Sequence, residues 1–150
     1  MKKFQFSLQR IHNYKDQILN REKNELALLH RRRNELLQAI KDLENFIFLT
    51  NAEKIEKQKT GLTIFEMSTY SFTIDNARTQ IQQIYIEIAE LDVEIAKQTQ
   101  VVMLASQEVK GLDKLYENQR EDYNKAVMQD EENTIAELIS IARFKEKSAV

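Results

Sequence analysis

From Ile74 to Ala126 the chain sets apolar residues on one line at alternating steps of three and four: Ile74, Ala77, Ile81, Ile84, Ile88, Leu91, Ile95, Gln98, Val102, Ala105, Val109, Leu112, Tyr116, Gln119, Tyr123 and Ala126. Gln98 and Gln119 are the only interruptions by a strongly polar side chain. A repeat of 3.5 residues keeps its stripe on one side of a long helix only when that helix supercoils around a partner. The pattern therefore predicts a coiled-coil helix.

A second, less regular stripe precedes it: Phe4, Leu8, Ile11, Lys15, Ile18, Glu22, Leu26, Leu29, Arg33, Leu36, Ile40, Leu43 and Ile47. The step from Ile18 through Glu22 to Leu26 is four plus four, which reads as a stutter that locally unwinds the supercoil. Ser7 is a candidate N-cap, with Phe6 and Ile11 placed as a hydrophobic staple. Beyond Ile47 the stripe fades, and Thr60-Gly61 offers a C-terminal stop with Lys57 and Lys59 in the last turn. There is no proline, and of the two glycines only Gly61 falls where the periodicity lapses.

The expected fold is all-α: one coiled-coil domain spanning 1–150, an antiparallel two-helix hairpin with helix 1 over about 7–59, a turn over about 60–70 and helix 2 over about 68–144. Ser68, Ser71 and Thr73 compete as the second N-cap, while Leu62–Phe65 and Tyr70–Ile74 carry enough β-branched and aromatic residues to leave short strands open. The arms are unequal. At about 1.5 Å per residue they would measure roughly 80 and 115 Å. Pairing back from the turn puts Leu8 near Arg120, so the chain after about Ala126 runs past the end of helix 1. There Gln129-Asp130-Glu131-Glu132-Asn133 breaks the seam, and Ile135, Leu138, Ile139 and Ala142 form a short stripe at i, i+3, i+4 and i+7 that the hairpin itself cannot cover.

Charge strengthens the hairpin. Residues 1–60 carry 13 Lys/Arg against 8 Asp/Glu, a net of +5, and residues 61–150 carry 9 against 16, a net of −7. Opposite signs favour pairing of the two helices with each other over pairing of like with like. A composition 31% charged and 42% hydrophobic fits long solvated helices, and a chain of 150 residues in this form buries a seam rather than a globular interior.

Little here supports catalysis. His12 and His30 are the only histidines, no cysteine is present and no Glu-x-x-His occurs, so neither a triad nor a carboxylate-histidine metal site has its parts. No glycine-rich phosphate loop exists, and the acidic balance argues against nucleic acid. No cofactor is expected. The N-terminus lacks the apolar run of a signal peptide and no stretch approaches a membrane span, which makes the expected location cytoplasmic. Two clusters stand out. His30-Arg31-Arg32-Arg33 is either a basic contact patch or a solvated face; Phe46, Phe48, Phe65, Tyr70 and Phe72 gather near the turn, either as a small local core or as an exposed contact patch.

The chain resembles the FliJ family of flagellar type III export proteins. The likeness rests on Phe4-Gln5-Phe6-Ser7-Leu8 ahead of a charged amphipathic helix, the long second helix, the late block Leu112-Asp113-Lys114-Leu115 with Gln119 and Tyr123, and the tail Glu131-Glu132-Asn133-Thr134-Ile135-Ala136-Glu137-Leu138. Ala136 departs from the family pattern, which has an aspartate there. The resemblance implies a non-enzymatic, stalk-like coupling factor whose terminal region enters the export ATPase ring, which contacts the cytoplasmic domain of the export gate and export chaperones, and which meets the inner membrane only through those partners. On that reading Arg10, Arg21, Arg31, Arg32, Arg33, Ile135, Leu138 and Ile139 are the candidate ATPase contacts, and Phe46, Phe48, Phe65, Tyr70 and Phe72 the candidate gate contacts. A prefoldin-like chaperone subunit, with strands between its helices, and a plain or self-dimerising coiled-coil tether are the alternatives.

Overall fold

The computed structural model describes residues 2–148 and contains two helices, α1 (Gln9–Thr60, 52 residues) and α2 (Ile64–Ser148, 85 residues). They run antiparallel as an all-α hairpin with unequal arms, and no strand occurs among the described residues. Of the strands left open near the turn, Tyr70–Ile74 is helix, while in Leu62–Phe65 the first two residues join the helices and Ile64 and Phe65 open α2. The hairpin divides into two compact units: Asn20–Met103, which includes the turn, and a second built from residues up to Leu19 and from Leu104 onward.

Within Asn20–Met103 the core is Leu36, Ile40, Ile81, Ile88 and Leu91, with Leu29, Leu43, Ile47, Ile84 and Ile95 packed around it. α1 stops at Thr60 because Gly61 takes a φ of 102°, a backbone region that favours glycine. The turn is shorter than the sequence suggested. α2 begins at Ile64, ahead of Ser68, Ser71 and Thr73, because Thr63 is the cap: its hydroxyl accepts from the Glu66 amide at 3.1 Å. Thr63 and Glu66 have the Thr-x-x-Glu spacing of a capping box, and Glu66 adds negative charge to the first turn of α2.

Every α2 position of the predicted seam from Ile74 to Ala126 is buried or half-buried. α1 differs from its reading. Leu19 is only 7% exposed while Ile11 is 48% exposed, and His12 and Lys15 are half-buried. The α1 seam is therefore Leu8, His12, Lys15, Leu19, Glu22, Leu26, Leu29, Arg33, Leu36, Ile40, Leu43, Ile47, Thr50 and Lys54, an unbroken four-three alternation with no stutter. It also continues past Ile47, where Thr50 is buried. The apparent irregularity came from admitting Ile11 and Ile18 to the seam on hydrophobicity alone. His12 and Lys15 are tolerated there because α2 supplies acids opposite them.

The charge asymmetry is expressed in cross-helix contacts. Lys15 Nζ meets Glu108 Oε2 at 2.8 Å, Arg33 Nε donates to Asp92 Oδ1 at 2.7 Å, and Arg32 reaches Glu87 at 3.7 Å. In each the base is on α1 and the acid on α2. Glu22 and Gln98 form a half-buried polar layer, in which the Gln98 amide donates both to the Glu22 carboxylate at 2.6 Å and to its backbone carbonyl at 3.0 Å.

Candidate functional site

The candidate sites lie in three places: the end where the N-terminal segment meets α2, the uncovered end of α2, and the turn. In the unit that holds both chain ends, Phe4 lies with its ring centroid 5.5 Å from those of both Tyr116 and Tyr123, and Phe6 meets Tyr116 edge-on at 5.3 Å. The Tyr123 hydroxyl donates to the Lys2 carbonyl. Aromatic pairs in such tilted and edge-on geometry are favoured by the ring quadrupole. This clasp fastens the entry segment onto α2: Phe6 is buried with its ring on Tyr116, while Ile11, its expected staple partner, is exposed. Nor does Ser7 begin the helix: the Gln9 amide donates to the Phe6 carbonyl and α1 starts at Gln9.

Beside the clasp, His12 Nε2 sits 2.6 Å from Asp113 Oδ1 at a shallow cleft of about 260 Å³ lined by Phe6, Gln9, His12, Asp113 and Tyr116. A His–Asp pair invites comparison with a triad, but the cleft lining contains no serine, threonine or cysteine to act as nucleophile. Among the described residues no cluster of three or more His, Asp or Glu side chains could hold a metal. The pair ties α1 to α2. The nearby Lys15 ammonium has its pKa raised above the ordinary lysine value, first by its hydrogen bond to Glu108 and then by that carboxylate's charge.

Past Val127 the situation reverses: every described residue from Met128 to Ser148 is exposed. Ile135, Leu138 and Ile139 stand uncovered, joined by Ile141 and Phe144. The predicted stripe is thus present as free apolar surface, and Arg10 is exposed in the same unit. Arg21, Arg31, Arg32 and Arg33 belong to the other unit. Arg32 and Arg33 are engaged with Glu87 and Asp92, while Arg31 makes no ion pair among the described residues.

The turn end of Asn20–Met103 is not a local core. Phe46, Phe48, Phe65 and Phe72 are exposed, Phe65 to 80%, and Ile55, Ile64 and Met67 are exposed with them. Tyr70 alone is half-buried: its hydroxyl donates to Glu53 at 3.2 Å and the Lys57 ammonium lies 5.6 Å from its ring centroid. Two helices share a single face, and these phenylalanines lie off it.

Compared with known families, residues 4–148 match the one described as Flagellar FliJ protein. The chain belongs to the FliJ family. Membership makes it a structural component of the flagellar export machinery. No curated protein and no solved structure gives a significant match. Among the described residues no helix is long and apolar enough to cross a membrane.

Proposed function

We propose that this FliJ-family chain is a non-enzymatic, stalk-like coupling factor in the cytoplasm, at the inner face of the membrane, between the export ATPase ring and the cytoplasmic domain of the export gate, with export chaperones as further partners. The observation that carries the reading is the uncovered end of α2: a helix that leaves its hairpin partner and still carries Ile135, Leu138 and Ile139 on one side. Solvated helical ends have no need of such a stripe, and helix-in-groove recognition uses this i, i+3, i+4 spacing. The stripe supplies the anchor in the ATPase ring.

Charge then steers the approach. With Arg32 and Arg33 occupied in cross-helix pairs, Arg10 and Arg31, and Arg21, which pairs only with its neighbour Glu22 at 3.7 Å, are the cations best placed to meet acidic partner surface. At the turn, the exposed Phe46, Phe48, Phe65 and Phe72 with Tyr70 provide the gate contact. The test is a pull-down and ATP-hydrolysis assay with the purified export ATPase, comparing the full chain with a truncation after Ala126 and with Leu138→Asp. Both variants are expected to lose binding and stimulation. Retention of both activities with helicity intact would remove the overhang from the mechanism.

A further inference from the structure

On α2 the surface turned away from the seam is also apolar. Ile86, Ala89, Val93, Ala96, Gln100 and Met103 repeat the three-four spacing, and all are exposed, Val93 to 55%. At about 100° per residue this line falls roughly opposite the buried Ile84, Ile88, Leu91 and Ile95, so α1 cannot reach it. Thr79 and Gln82, the preceding positions of the same spacing, are polar. α2 thus carries a second, finite seam with nothing on it, contained wholly within the unit Asn20–Met103.

We infer that this outward face of α2 docks a second copy of this chain, packed antiparallel about a two-fold axis between Glu94 and Ile95. The inference does not rest on the export role. Three observations select this occupant and orientation. First, the spacing demands a helix, and antiparallel pairing across that axis sets Ile86 against the partner's Met103, Ala89 against the partner's Gln100 and Val93 against the partner's Ala96. Each small residue then faces a larger one, which keeps the helix separation even, since interaxial distance follows the side chains at the contact. A parallel pair would set Ala on Ala and Ile on Ile in turn, leaving alternate gaps and clashes.

Second, the flanking charges are self-complementary. Glu90 and Lys97 follow Ala89 and Ala96 on the same edge of the stripe, and the two-fold axis brings Glu90 of each copy beside the partner's Lys97, twice. Such edge pairs set partner and direction in coiled coils. Third, both groups are available: neither Glu90 nor Lys97 makes an ion pair within the described chain, whereas Asp92 on the other edge, which a parallel pair would need, is taken by Arg33. The stripe is about 27 Å long at about 1.5 Å per residue, so the contact falls in the small, reversible class of interfaces below about 1,200 Å².

Sedimentation equilibrium of the full chain over rising concentration is expected to show a reversible monomer–dimer equilibrium. Val93→Asp should weaken it by more than about tenfold, because the carboxylate would be buried without a partner, while helicity stays unchanged at this exposed site. Glu90→Lys and Lys97→Glu should each weaken self-association, and mixing the two variants should restore it as a heterodimer. The chain has no cysteine, so direction can be read by oxidation. Ile86→Cys mixed with Met103→Cys should give the mixed disulfide, with little of either homodisulfide. A monomer at every concentration, an Ile86→Cys homodisulfide, or a dimer indifferent to Val93→Asp would each overturn the proposal.

Discussion

Leu19 and Ile11 offer the sharpest test of how the two helices meet, because hydrophobicity alone ranks them the other way from the fold. Replacing Leu19 by Ala deletes three carbons that the hairpin hides almost completely; at about 0.8 kcal/mol per buried CH₂ this is roughly 2.4 kcal/mol. A seam between two helices closes around a small gap more easily than an enclosed core does, which places the loss near the lower end of the roughly 2–5 kcal/mol range for such substitutions. Ile11→Ala deletes as many carbons from a side chain nearly half exposed, so about half that amount, roughly 1.2 kcal/mol, is at stake. Alanine's better helix propensity returns about 0.4 kcal/mol. The two variants should differ by roughly 1.5 kcal/mol.

Urea unfolding followed by circular dichroism at the helical band would read this directly. With a slope of about 1–3 kcal/mol per molar urea, Leu19→Ala should unfold roughly 0.5–1.5 M earlier than Ile11→Ala, with Ile18→Ala, half-buried, between them. If Ile11→Ala proved as damaging as Leu19→Ala, the seam would run through Ile11 and Ile18, and the four-plus-four step at Glu22 would be a real stutter. The continuous seam would then be wrong.

Gly61→Ala should lower stability by roughly 1–2 kcal/mol in the same assay, through backbone strain alone, since nothing lies within 4 Å of the added Cβ and φ is 102°. Phe65→Ser should leave the helical signal and melting curve unchanged, because the ring is exposed, while lowering affinity for the gate domain in a binding assay. Glu108→Gln should lower the pKa of the Lys15 ammonium, followed by NMR titration, back toward the ordinary lysine value. Because the folded value is raised, the Lys15–Glu108 pair contributes below the unfolded lysine value and its contribution is lost as pH climbs through the folded one. The advantage of the native chain over Glu108→Gln should therefore be present at neutral pH, vanish in strong alkali and shrink in salt.

The α2 seam was legible because its residues are apolar and their period is a property of one helix. The α1 seam was legible without error from Leu26 to Ile47, Arg33 included. At its start Lys15 and Glu22 were read onto it, but Ile11 and Ile18 took the places of His12 and Leu19: His12 lies on the seam because Asp113 meets it, and a single helix read alone cannot supply that information. At the turn the signal was present and outweighed. Thr63 and Glu66 have capping-box spacing, but the β-branched and aromatic residues around them suggested non-helical chain. The exposure of Phe48, Phe65 and Phe72 follows from geometry rather than residue preference, since aromatics are buried on average only when a face exists to bury them. The overhang at Ile135–Ile139 was legible from arm length, and the stripe from Ile86 to Met103 was hidden behind the stronger seam of the same helix.

The polar layers explain why the overhang has a defined length. A pair of purely apolar seams with a heptad repeat can slide by seven residues and still interdigitate, whereas polar seam residues specify register. Sliding by one heptad would take Lys15 from Glu108 to Val101 or Leu115 at the edge of the seam, and Glu22 from Gln98 to Leu91 or Ala105 within it, leaving charged groups against apolar ones. Arg33 would leave Asp92 in the same step, for Tyr85 or Thr99. Each slide would also move the point where α2 parts from α1 by about 10 Å, at about 1.5 Å per residue. A surface such as Ile135, Leu138 and Ile139 is useful to a partner only at a fixed distance from the clasp at Phe4, Tyr116 and Tyr123. Replacing the Glu22–Gln98 layer by leucines should therefore raise hairpin stability while permitting shifted registers, detectable as more than one distance between spin labels at Arg10 and Asn118.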